Sequence, residues 1–184
     1  MHLISPEKIF RGKGAWFKAL PEIKKVCKRP LLLGRSLATD KIRQQIYDDL
    51  ISENFDIFLS NLEYDCCYED LARIKQFILK NKCDSIIATG GGKVLDAGKF
   101  LAHLLSIPVI TIPLSASTCA GWTALSNIYS INGQFIKDVE LKSCPKILVL
   151  DHAFIETAPK RTLASGIADA LAKWYESSLT SSSV

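Results

Sequence analysis

Apolar positions along this chain fall into two kinds of stretch. Short apolar runs occupy residues 30–34, 55–59, 84–88, 108–112 and 147–150. Their near lack of polar alternation is that of strands covered on both faces. Between them, apolar residues recur every three to four positions, which predicts helices over residues 39–52, 68–80 and 93–105. Thr39 or Asp40 is a suitable cap for the first of these, and Leu71, Ile74, Phe77 and Ile78 share one face of the second. The basic stretch at residues 24–29 closes an earlier helix, where positive charge complements the helix dipole. Runs at 126–130 and 134–136 flank Asn132-Gly133, a strong hairpin signal. Pro159 opens a last helix through Ala164, Ile167, Ala168, Leu171, Ala172 and Trp174, which fades into serine-rich residues 177–183.

Strands that alternate with helices predict an α/β fold, a mostly parallel sheet covered by helices, with an inserted β-hairpin. Ligands of such sheets bind outside the carboxyl ends of the strands. The stretch IIATGGGKVLDAGK, residues 86–99, falls at that edge. Glycine weakens strands and helices alike, so three together at a strand–helix junction point to a backbone that must approach something closely. A helix N-terminus exposes N–H groups and partial positive charge, which suits a phosphate. Gly90, Gly91 and Gly92 would admit a pyrophosphate, Lys93 would add a charge, and Asp96 and Lys99 follow on roughly one helical face. The competing reading is a tight turn followed by a solvated Lys-Asp-Lys stripe. The pattern is neither G-x-x-x-x-G-K-[ST] nor G-x-G-x-x-G.

Composition narrows the function classes. The chain has 184 residues, 48% hydrophobic, with a net charge of +4. The small, scattered basic excess argues against a nucleic-acid partner. The six cysteines include no C-x-x-C pair. No leader-like segment and no apolar stretch of about 18 residues occurs, so we expect no membrane span and a cytoplasmic location.

GGGKVLDAGK resembles the G-G-G-K-x-x-D-x-x-K stretch of the glycerol dehydrogenase branch of the iron-containing alcohol dehydrogenase superfamily. Further likenesses follow in register: Ile112-Pro113 before Ser117-Thr118-Cys119, then Thr123-Ala124-Leu125-Ser126 with Ile128-Tyr129, then the LASGIADALAKW helix at residues 163–174. Ser5-Pro6 and Gly12-Lys13-Gly14 also fit, so the likeness covers nearly the whole chain. It implies a Rossmann-like dinucleotide-binding domain over residues 1–158. It makes residues 159–184 the start of a helical metal-binding domain whose remainder is missing. It further implies oxidation of an alcohol or polyol with NAD or NADP, aided by one divalent metal, zinc or iron.

By that resemblance Gly91, Gly92 and Lys93 lie near the cofactor phosphates, Ser117 and Thr118 near its nicotinamide end, and Asp169 is a metal ligand. Cys119 stands where the glycerol dehydrogenases typically carry an aspartate that contacts the polyol, and it is the candidate catalytic residue. Gly34 and Arg35 follow the run at residues 30–34, where dinucleotide folds place an acid on the ribose 2′-OH. Arginine there suits a phosphate instead. His2, His103 and His152 match none of the family's metal histidines, and a catalytic zinc site takes about three protein ligands. We therefore expect a truncated two-domain enzyme that is inactive alone and a homo-oligomer when full-length. The alternatives are a sugar-phosphate relative, such as glycerol-1-phosphate dehydrogenase or dehydroquinate synthase, and a non-catalytic nucleotide-binding module.

Overall fold

The computed structural model describes residues 5–181, so His2 and the last serines of the tail lie outside the described residues. Six parallel strands form one sheet in the order β1-β8-β5-β4-β2-β3. They are β1 (Lys8–Gly12), β2 (Pro30–Gly34), β3 (Phe58–Asn61), β4 (Ser85–Gly90), β5 (Val109–Pro113) and β8 (Ile147–Asp151). The antiparallel hairpin of β6 (Leu125–Tyr129) and β7 (Phe135–Glu140) stands apart from it, with an irregularity at Ile128/Tyr129. The helices are α1 (Ala15–Val26), α2 (Asp40–Ser52), α3 (Tyr68–Asn81), α4 (Gly92–Leu105), the single turn α5 (His152–Ile155) and α6 (Lys160–Ser181).

The apolar runs are central strands because both of their faces are covered. Leu31, Leu33, Ile86 and Ala88 pack with Leu71, Ile74, Leu95 and Leu101 of α3 and α4 on one side. Leu32, Ile87, Ile110 and Ile112 pack with Trp16, Ile23, Ile46 and Leu50 of α1 and α2 on the other. Alternate residues of each run thus face opposite layers.

The structure moves one expected strand. Residues 55–57 are not in β3, which begins at Phe58. The chain leaves α2 through Asn54 at φ 64°, and the N–H groups of Phe55 and Asp56 are taken by the carbonyls of Leu50 and Lys28. Pairing with β2 starts only after that turn. Strand β1, which carries the unforeseen sixth place in the sheet, is an edge strand with little burial. Its end is tied down by buried Asp151, which accepts the N–H groups of Trp16 at 2.9 Å and Gly14 at 3.3 Å.

Helix α6 is different from the rest. Leu163, Ile167, Leu171, Trp174, Tyr175 and Leu179 are each more than half exposed. It touches the body where Gly166 lies on the 115–118 loop, and a Cβ there would sit 1.8 Å from the carbonyl oxygen of Ala116. Among the described residues, no helix is long and apolar enough to cross a membrane.

Candidate cofactor site

Strand order reverses at β2: β3 lies on one side of it and β4 on the other. In open α/β sheets a crevice opens at such a point, outside the carboxyl ends of the two strands. Here the ends are Gly34 of β2 and Gly90 of β4. A cleft of about 270 Å³ occupies that position, lined by Arg35, Ser36, Thr39, the Gly90–Gly92 turn, Lys93 and Val94.

The three glycines have three separate jobs. Gly90 ends β4 at φ 157°, and its carbonyl accepts the N–H of Leu114 at 3.0 Å. Gly91 precedes α4, whose N-terminus receives no side-chain cap. A Cβ on Gly91 would meet nothing closer than Ser115 Oγ at 4.0 Å, so nothing within the protein forbids a side chain there. Gly92 begins α4 and faces Thr118 Oγ1 at 3.4 Å from its missing Cβ. An uncapped helix end beside an open glycine is a cradle for an anion approaching the backbone.

A second cleft of about 240 Å³ shares Gly92 and Lys93 with the first and continues past Asp96, Thr118, Cys119, Asn127 and Tyr129. The two lobes together suit an elongated ligand bent over the α4 N-terminus. Lys93 stands between them, paired with buried Asp65 and lying 4.7 Å over the Tyr129 ring. The loop after β5 gives Thr118, Cys119 and Ala120 to the second lobe, where Thr118 Oγ1 accepts the N–H of Ala120 at 3.0 Å; Ser117 lines neither lobe, and its hydroxyl shares a 3.0 Å hydrogen bond with Ser115. Cys119 is an exposed free thiol on the second lobe.

The Lys-Asp-Lys pattern is not a solvated stripe beyond its first member. Asp96 and Lys99 are buried and paired at 3.0 Å. The Lys99 ammonium also donates to both oxygens of Thr123 at 3.2 Å and to the Leu125 carbonyl, while Ser126 Oγ donates to the Asp96 carbonyl at 3.0 Å. Burial pushes the Asp96 carboxyl up and the Lys99 ammonium down, and each charge offsets part of that cost for the other. The pair pins α4 to the hairpin that forms the far wall.

Gly34 ends β2 but does not line the cleft. A Cβ there would lie 1.8 Å from the guanidinium of Arg43, which crosses the strand end to Asn61 and Asp40. Arg35, by contrast, lines the cleft and donates to the carbonyl of Tyr64. Asp169 lines neither lobe; its half-exposed carboxylate lies 3.8 Å from Lys173. Among the described residues, no group of three or more His, Cys, Asp or Glu side chains could hold a metal ion. The glycine cradle therefore fits a dinucleotide, whereas these donors do not by themselves fit a metal.

Sequence reasoning missed Asp65, Tyr129, Thr123 and Asn127. They come from the hairpin and from the loop after β3, and only tertiary packing brings them to α4. Thr123 and Tyr129 stood within a stretch that resembles the family but carried no assigned role, and Asp65 is one of three acids in the stretch YDCCYED.

Residues 6–152 match the family model for iron-containing alcohol dehydrogenases. The chain is 35% identical over 185 residues to the glycerol dehydrogenase of Pseudomonas putida, covering 97% of this chain and 49% of that one. It is 30% identical over 172 residues to the glycerol dehydrogenase of Escherichia coli, covering 94% and 47%. An uncharacterised oxidoreductase of Synechocystis is 43% identical over 133 residues, 71% of this chain and 34% of that protein. The crystal structure of the Schizosaccharomyces pombe glycerol dehydrogenase superposes with a TM-score of 0.80 at 29% identity, over 95% of this chain and 44% of that one. The chain thus spans a third to a half of the length of these relatives. Glycine cradle, strand order and matched residues agree, and the chain belongs to the iron-containing alcohol dehydrogenase family, in its glycerol dehydrogenase-like branch.

Proposed function

We propose that this chain holds the nicotinamide cofactor, NAD or NADP, for a dehydrogenase acting on a small alcohol or polyol. The observation that carries this is the open Gly91 at the uncapped end of α4, set in the crevice where the strand order reverses. The N–H groups of Gly91 and Gly92 would hold the pyrophosphate, and Lys93, paired with Asp65, would stand beside it. Thr118, on the lining of the second lobe, would lie beside the nicotinamide end, with Ser117 next to it in the loop. Bound there, the cofactor supplies the hydride acceptor.

Cys119 lines that lobe and would contact the alcohol there. A thiol does not offer the charged acceptor of an aspartate, so a polyol is gripped less firmly here than in relatives with an acid at this position. Asp96, on the lining of the second lobe, is paired with Lys99 and so also holds α4 against the hairpin. We also read residues 1–158 as the cofactor domain and residues 159–184 as the start of a helical one that holds the metal, with Asp169 as a donor. Support for this is the apolar stripe that α6 leaves exposed.

Gly91→Val tests the reading. Its backbone, φ −84° and ψ −178°, is open to any residue, and there is space for the side chain. Calorimetric affinity for the dinucleotide should fall at least about tenfold while the melting temperature moves by only a few degrees, roughly the effect of 1 kcal/mol. Equal affinity in the two proteins would remove the phosphate from this turn.

A further inference from the structure

We propose that the first lobe is built for a dinucleotide carrying a 2′-phosphate, with Arg35 as the residue that selects it. This rests on the dinucleotide reading above and goes on to name the cofactor class.

Arg35 is the first residue past the end of β2 and faces the glycine turn across the crevice. In dinucleotide folds a carboxylate beside the glycine turn accepts the ribose 2′-OH and repels a phosphate, and the end of β2, next to β4, puts Arg35 beside that turn here. The lobe has no such group. Its lining holds two cations, Arg35 and Lys93, two hydroxyls, Ser36 and Thr39, and no acid.

The acids nearby are already committed. Asp40 pairs with Arg43 at 2.8 Å, and Asp65 pairs with Lys93. Asp70 is buried against Arg73 at 2.6 Å and accepts the N–H groups of Tyr64 and Asp65. None of the three lines the lobe.

Lys93 is offset by Asp65, which leaves Arg35 as the uncompensated cation of the lobe. Among the described residues its guanidinium has one hydrogen bond, to the Tyr64 carbonyl, and no carboxylate partner. A guanidinium has five N–H donors, so the bond to Tyr64 anchors the side chain at the rim and leaves a fork for phosphate oxygens. Ser36 Oγ accepts the N–H of Ala38 at 3.1 Å, so its own proton is available to the same anion.

The test is calorimetric titration of this chain with NADP+, NAD+, 2′,5′-ADP and 5′-AMP, in the wild type, Arg35→Gln and Arg35→Asp. NADP+ should bind about ten- to a hundredfold more tightly than NAD+, the range of a charge-assisted hydrogen-bonded contact. The same ratio should separate 2′,5′-ADP from 5′-AMP and shrink as salt screens the contact. Arg35→Gln should abolish the preference and Arg35→Asp reverse it. The wild-type comparison stands even if a variant fails to fold. Wild-type NAD+ binding as tight as NADP+, or an equal loss for both in Arg35→Gln, overturns the role of Arg35 and leaves the dinucleotide reading intact. Failure of all four ligands to bind overturns both.

Discussion

Replacing Gly98 by alanine sets two local effects against each other. Gly98 lies in the middle of α4, where alanine is worth about 1 kcal/mol more than glycine in helix propensity. A Cβ there, however, would lie 2.5 Å from the Cβ of Ala88 on β4. Carbon atoms pack comfortably at about 3.5–4.0 Å, so α4 must retreat from the sheet by roughly 1 Å. Neither methyl can swing aside, since each is fixed to its backbone. The next neighbours, Ile86 Cγ2 at 3.5 Å and Ala88 Cα at 3.7 Å, are ordinary contacts, so the clash belongs to one methyl pair. Overpacking of this kind costs about 1–3 kcal/mol, which outweighs the propensity gain and leaves a net loss of up to about 2 kcal/mol. Because α4 carries Gly92 and Lys93 at its end, the same retreat should weaken dinucleotide binding. Urea denaturation of Gly98→Ala, Ala88→Gly and the double variant measures the pair. Ala88→Gly removes the opposing methyl, so the double variant should exceed the additive expectation by about 1–3 kcal/mol. Additivity, or a Gly98→Ala protein more stable than the wild type by the full propensity gain of about 1 kcal/mol, would refute the close packing of α4 on β4.

Lys99→Met should cost about 3–5 kcal/mol in urea denaturation, because it strands the buried Asp96 carboxylate, and adding Asp96→Leu should recover most of that loss; a loss below about 1 kcal/mol in the single variant would mean the pair is solvated. Burial raises the thiols of Cys27 and Cys83 from 9.0 to about 11. A raised folded value means the stabilisation is complete below pH 9 and is lost as the pH climbs toward 11, at up to about 3 kcal/mol for Cys27 and less for the more solvated Cys83. The urea midpoint should therefore fall across that window, less steeply in Cys27→Ala, and an identical slope in both proteins would count against it.

From β2 to β5 the alternation of strands and helices, the hairpin and the position of the glycine turn were legible in the sequence because each is a local matter, whereas the exposed edge strand β1 was not. Runs covered on both faces lose their alternation, Asn132-Gly133 supplies the turn conformation, and three glycines interrupt a strand–helix junction. The order of the strands in the sheet was not legible, and it is what makes the crevice: β3 and β4 could have followed β2 on the same side. Lys99 shows the same division. Its spacing from Lys93 and Asp96 was plain in the sequence, yet its burial depends on the hairpin carbonyls of Thr123 and Leu125, residues about 25 positions away that fold over α4. Gly98 and Gly166 look alike as bare helix positions in the chain; only packing assigns one to the Ala88 methyl and the other to the Ala116 carbonyl. Periodicity reports which face a residue turns toward the core, whereas the identity of the atom that meets it is decided by elements distant in sequence, whose approach no local pattern encodes.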